Sequence, residues 1–212
     1  MPVTVTILTS DSNRDTTRVL SSDRSASLSR DSSVLEPVIR VSSRVVVAAH
    51  RWRYGRLVQD WTVAVFEEEG IQSVLVQPGG SIVINTGTFR LAETEAGLAA
   101  LVSHELAHIL AHHNANGSQS GNKETRKAGL HSRAQELEAD AIGMVVMADA
   151  GYDPGEMLRV WEGMKRWNAL DDELLTHLTY DRRLQELRGR LPEAFRRYVR
   201  SNRAPQKMLP VK

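Results

Sequence analysis

Two histidines four positions apart, His104 and His108, with Glu105 beside the first, interrupt the otherwise apolar run Leu98–Leu110. The surrounding pattern predicts a helix from about Glu95 to His113. Thr94 is placed to cap it, and Leu98, Leu101, Val102 and Ile109 make its buried stripe. Residues four apart on a helix share one face, with about 5–6 Å between their Cβ atoms. Two imidazoles at that spacing can hold one metal ion. A carboxylate following the first of them can hold a water at that ion and take its proton. This is the H-E-x-x-H arrangement of zinc peptidases. The plainer reading is a polar patch near the end of a helix, where histidine suits the dipole.

A third ligand separates these readings, because a catalytic zinc takes three protein ligands and leaves one position open. The chain has no cysteine, so histidine and carboxylate are the available donors. His112 lies one turn beyond His108, but three histidines stacked on one straight helix cannot converge on a tetrahedral ion. His113 is rotated away, and the position six beyond His108 is Asn114. A second predicted helix, from about Ser132 to Ala150, offers Glu136 and Asp140 on one face, with Glu138 turned elsewhere. Glu136 as ligand gives a His2Glu site. Asp140, one turn on, can accept an N–H from a ligand imidazole and fix its tautomer. Against this, Glu136 and Asp140 can also be read as ordinary acids on a solvated face.

The rest of the pattern gives an α+β class with one domain. Residues 1–33, rich in Ser, Asp, Arg and Thr from residue 9 on, read as a disordered tail; Asp11, Asp15, Asp23 and Asp31 offset Arg14, Arg18, Arg24 and Arg30, which a transit peptide, poor in acids, would not show. Val38, Val41, Val45 and Ala48 mark a helix ending near His50. Strands follow at 61–66, 73–76 and 81–84, with Pro78-Gly79-Gly80 as a turn, giving a small antiparallel or mixed sheet packed with helices. Residues 114–131 read as a mobile loop. Further helices are expected at 155–167, with Asp153-Pro154 at its start, and at 181–190. The domain is taken as 34–200, with a second tail at 201–212. A net charge of +1 leaves no basic excess to argue for a nucleic-acid partner. No stretch is long and apolar enough to span a bilayer, and nothing reads as a signal peptide.

In order along the chain, several motifs resemble one family. They are Pro78-Gly79-Gly80 with Ile82-Val83-Ile84-Asn85-Thr86-Gly87, the helix His104-Glu105-x-x-His108, and the helix Glu136-x-Glu138-Ala139-Asp140. Last come Thr176-His177 and Arg183-Leu184. Together they are similar to the gluzincin endopeptidases that include HtpX, the CAAX prenyl proteases and the mitochondrial Oma-type quality-control proteases, the last most of all. The likeness covers roughly residues 34–190. It departs at Leu178, where the family has proline, and in the short span between His108 and Glu136.

The resemblance implies a zincin-like fold whose active-site helix carries the HExxH segment. It implies one zinc per chain on His104, His108 and Glu136, with Asp140 behind a ligand. Glu105 is then the general base. His177 and Arg183 are the expected donors to the oxyanion, although His177 could instead close the zinc, and Arg183 could pair with Asp181 or Glu186. The implied activity is metalloendopeptidase cleavage of unfolded or extended segments in protein quality control. The implied setting is mitochondrial and associated with the inner membrane; a cytoplasmic one is the alternative. A zinc-stabilised interaction module without catalysis is the competing function.

Overall fold

The computed structural model describes residues 3–8, 27–52, 59–113, 133–168, 175–205 and 207–210, with side chains undescribed at 168 and 175–179. Helix α1 (Ser32–His50) starts at Asp31, whose side chain accepts the amide N–H of Ser33 at 2.9 Å. Its stripe of Val34, Val38, Val41 and Val45 is buried, as the 3.6-residue spacing requires of a helix lying on a core.

That core is shared with a four-stranded sheet of β1 (Thr4–Ile7), β2 (Asp60–Phe66), β3 (Val74–Gln77) and β4 (Ser81–Asn85), ordered β1-β2-β4-β3. β1 and β4 flank β2 in parallel, while β3 pairs antiparallel with β4 and forms one edge, so the sheet is mixed. The turn between β3 and β4 uses Gly80 at φ 86°, a backbone that L side chains rarely adopt.

β1 corrects the expected tail over 1–33. Thr4–Ile7 is a strand in register with Asp60–Val63, and Leu28 bridges to Phe66 and is buried. α1 is the crossover that a parallel β1/β2 pair requires. Residues 9–26 of that expected tail lie outside the described residues, as does the expected loop at 114–131.

The remaining helices are α2 (Thr88–Ala92), α3 (Glu95–Leu110), α4 (Arg133–Asp149), α5 (Gly155–Asn168) and α6 (Leu175–Arg200). α3 is buried along almost its whole length, as suits a helix that is apolar on all sides. Thr94 caps it, accepting the amide N–H of Gly97 at 3.0 Å. Glu95, fully buried in its first turn, is held by three hydrogen bonds from Arg40 of α1, the shortest 2.8 Å. α3 packs on α4, α1, α5 and β3. The α4 contact is tight at Gly143, where an added Cβ would meet backbone atoms of His104 at 3.0 Å. Asp153 starts α5 by accepting the amide N–H of Gly155 at 2.8 Å.

The expected tail at 201–212 is also corrected. Residues 207–209 run against the start of α3: the carbonyl of Lys207 accepts from Glu95 N–H at 2.9 Å, and Leu209 N–H donates to Glu93 at 2.8 Å. Ala204 and Leu209 are buried. Both side chains belong to the main apolar core, and the hydrogen bonds fix the segment's path.

Candidate metal centre

His104 and His108 both stand on α3 and are buried, 7% and 5% exposed. Imidazoles taken from water into such a place need partners. Their Nε2 atoms are 3.2 Å apart. Across from them, Glu136 in the first turn of α4 presents Oε2 to His104 at 3.4 Å and Oε1 to His108 at 3.5 Å. Zinc bonds of about 2.0–2.2 Å to N and O place tetrahedral ligands about 3.3–3.5 Å from each other. Each Nε2 faces its own carboxylate oxygen, one donor atom from each of the three residues lies within 4.8 Å of the others, and two imidazoles with one carboxylate are a donor set suited to zinc. Among the described residues these three form the one cluster of His, Cys, Asp and Glu able to hold a metal ion. His112 is outside it, exposed beyond the helix end.

Behind the cluster, Asp140 is 1% exposed. Its Oδ1 lies 2.9 Å from Nδ1 of His104, a close charge contact that is off the line of a straight hydrogen bond. Asp140 is itself held by three donors: Arg183 Nε at 2.7 Å, Arg183 Nη2 at 2.7 Å and the indole N–H of Trp161 at 3.0 Å. Arg183 reaches Glu136 as well, with Nη1 3.1 Å from Oε2. The Trp161 ring packs edge-on to His104, with 5.2 Å between centroids, and carries the Arg183 guanidinium on its face at 5.0 Å.

Burial by itself would strip the proton from His104. The carboxylates of Asp140 and Glu136 outweigh it, and the imidazolium pKa is raised to about 9. Burial likewise works against ionised Asp140 and Glu136. Arg183 and His104 hold Asp140 below its ordinary range, and His104, Arg183 and His108 do the same for Glu136. Glu105 differs: burial raises its pKa, although the His104 charge opposes the shift. It faces a cleft beside the edge strand β3, lined by Val74, Thr88, Leu91, Leu101 and Met164.

Arg183 lies at this centre, not on Asp181 or Glu186, which pair instead with Lys165 and Arg182. Its described donors are spent on Asp140 and Glu136. His177 falls in the first turn of α6, and its side chain lies outside the described residues. Sequence reasoning missed His113, Glu138 and Trp161. Nδ1 of His113 is 3.1 Å from Nδ1 of His108, and its Nε2 is 3.0 Å from Oε2 of Glu138. A straight helix to residue 113 would turn His113 away. α3 ends at Leu110, and the turn after it brings the ring back.

The profile of peptidase family M48 matches residues 39–122 and 122–191. The mitochondrial metalloendopeptidase OMA1 of Saccharomyces cerevisiae is 29% identical over 160 residues, covering 61% of this chain and 46% of that protein. The protein of the same name from Arabidopsis thaliana is 31% identical over 140 residues, 55% of this chain and 29% of its own length. The beta-barrel assembly-enhancing protease of Escherichia coli is 26% identical over 149 residues, 53% and 31% of the two chains. The chain therefore spans about half or less of the length of these relatives.

Proposed function

The chain belongs to peptidase family M48, and from that premise we propose that it is a zincin-like, zinc-dependent endopeptidase with one metal ion on His104, His108 and Glu136. The observation that carries this reading is the convergence of three residues: the two imidazole Nε2 atoms lie 3.2 Å apart and each has a Glu136 carboxylate oxygen within 3.5 Å.

A zinc ion bound there supplies Lewis acidity toward water and toward the scissile carbonyl. Glu105 neighbours a ligand and faces the cleft. Its carboxylate takes the proton of the attacking water and passes it to the leaving amine. Burial without a direct cationic partner keeps it a better base than an exposed glutamate. Arg183 helps keep Glu136 ionised, and with Asp140 it holds the two ligands in place; Arg183 thus acts through the ligands and not on the oxyanion. His177 is the remaining donor for that role. The edge strand β3, without a second partner strand among the described residues, takes an extended substrate backbone by strand addition, with the cleft beside Glu105, part apolar and part polar, receiving one of its side chains. This favours unfolded or extended protein segments over folded ones. Among the described residues no helix is long and apolar enough to cross a membrane. A quality-control role in a mitochondrial, membrane-associated setting follows the likeness to the OMA1 proteins, and fractionation of the tagged chain tests that setting.

The decisive experiment compares two amide variants. Glu105→Gln keeps zinc and loses proteolysis of an unfolded casein substrate by about a hundred- to ten-thousand-fold. Glu136→Gln loses zinc itself. Loss of zinc from Glu105→Gln, or full activity in it, would overturn the reading, the latter in favour of a zinc-stabilised module.

A further inference from the structure

α3 ends in a way that carries a third histidine onto the ring of a proposed ligand. Ala111 closes the helix and His112 takes a left-handed backbone at φ 54°. The His113 amide then donates to the carbonyl of His108 at 2.8 Å, and the His112 amide to Ile109 at 3.1 Å. These are the paired bonds of a Schellman cap, in which the side chain after the left-handed residue packs on the residue five places back. That packing is usually apolar. Here it is polar, joining His113 to His108 at 3.1 Å and then to Glu138 of α4 at 3.0 Å.

Proton positions follow from these contacts. A His108 that gives its Nε2 lone pair to a metal carries its proton on Nδ1. That N–H needs an acceptor, so Nδ1 of His113 is unprotonated and its proton sits on Nε2. The second N–H meets a carboxylate. At no point in the chain do two donors or two acceptors face each other. The side chain of His113 is 6% exposed, that of Glu138 58%.

We propose that His113 is a positioning residue, which with Glu138 locks His108 in the tautomer and ring orientation needed to bind the metal. It stands behind His108 much as Asp140, 2.9 Å from Nδ1, stands behind His104. The proposal rests on the zinc-site reading above.

The test uses the full chain with His113→Phe, which keeps a ring but no acceptor, and His113→Asn. The asparagine carbonyl oxygen sits on Cγ where Nδ1 of the histidine was, so it can still accept. The readouts are zinc affinity by chelator competition, the visible spectrum of cobalt(II) in the site, and the imidazole nitrogen shifts of His108 in chelated protein. His113→Phe should weaken zinc binding by about ten- to a hundred-fold and alter the cobalt spectrum, with little change in the thermal midpoint of the chelated form. His113→Asn should recover most of the affinity. Wild-type His108 should read as the Nδ1–H tautomer. Undiminished zinc affinity in His113→Phe would overturn the proposal; so would an asparagine variant no better than it, or an Nε2–H tautomer in wild type. If His113→Phe does not fold, the asparagine variant and the wild-type nitrogen shifts still decide. If wild type takes up no zinc, the zinc-site reading fails, and the nitrogen shifts judge the His113 contact separately.

Discussion

Gly143 of α4 lies against the backbone of His104, so that a Cβ there would come within 3.0 Å of the histidine's Cα and N and 3.1 Å of the Ser103 carbonyl carbon. Backbone atoms cannot swing aside as a side-chain end can. Gly143→Ala should force α3 and α4 apart near the helix face that carries Glu136 and Asp140. Overpacking of this kind costs about 1–3 kcal/mol, and zinc affinity should fall with it. Gly189→Ala, on an exposed stretch of α6 with no atom within 4 Å of the added carbon, should instead stabilise by about 0.5–1 kcal/mol. Thermal unfolding of both variants checks the pair; equal effects would contradict the close approach.

Arg183 bridges two carboxylates from a buried position. Arg183→Ala leaves Asp140 charged, buried and short of two hydrogen bonds, a loss of about 3–5 kcal/mol for a broken buried pair. Arg183→Lys restores charge but not the fork that serves Asp140 and Glu136 together. Both variants should lower zinc affinity, and lysine should rescue stability more than affinity. Denaturant unfolding and zinc competition read the two effects separately.

Acidity should act on folding and on metal uptake in opposite directions. The His104 pKa is raised from 6.5 to about 9 by its carboxylate partners acting against burial. In chelated protein this contributes stability that is complete below about pH 6.5 and is lost as pH rises through about 9. A metal must displace the same proton. Zinc affinity should therefore climb by up to about tenfold per pH unit and level off above about 9. Melting curves of chelated protein and zinc competition at several pH values, corrected for protonation of the chelator, check both slopes. A pH-independent affinity would show that no proton is displaced.

His112 sits at φ 54°, where a side chain is strained and glycine is not. His112→Gly should stabilise the chain by about 1 kcal/mol and leave zinc content and proteolysis unchanged. Loss of metal in this variant would make His112 a ligand.

How far these features could be read in the sequence depends on how local they are. The valine stripe of α1, the Thr94 and Asp153 caps and the glycine turn before β4 are set by neighbours a few residues away, and sequence reading finds them. β1 has four residues; the alternation of Thr with Val and Ile from Val3 to Ile7 is a strand signal, but its partner lies far along the chain and the run is too short to weigh against the polar stretch that follows it. α2 is too short to show a period. α6 runs on through Pro192, an ordinary stop signal, so its expected end at residue 190 falls short of Arg200. The meeting of His104, His108 and Glu136 follows from two helix faces and could be anticipated. The link from His108 through His113 to Glu138 could not, because helical spacing continued past Leu110 points His113 away. Only the left-handed step at His112 reverses that. The partners of Arg183 depend on how α6 packs on α4, which no local pattern encodes.

The short segment Lys207–Leu209 lies along the first turn of the helix that carries the histidines, joined to Glu93 and Glu95. His104 is nine residues further on, about 13 Å at the rise of an α-helix. This segment is thus a mechanical handle on the candidate metal centre. A tag, a tether or a surface attached there would load the helix at its root, and an immobilised or fused protein would feel its anchor at the site itself.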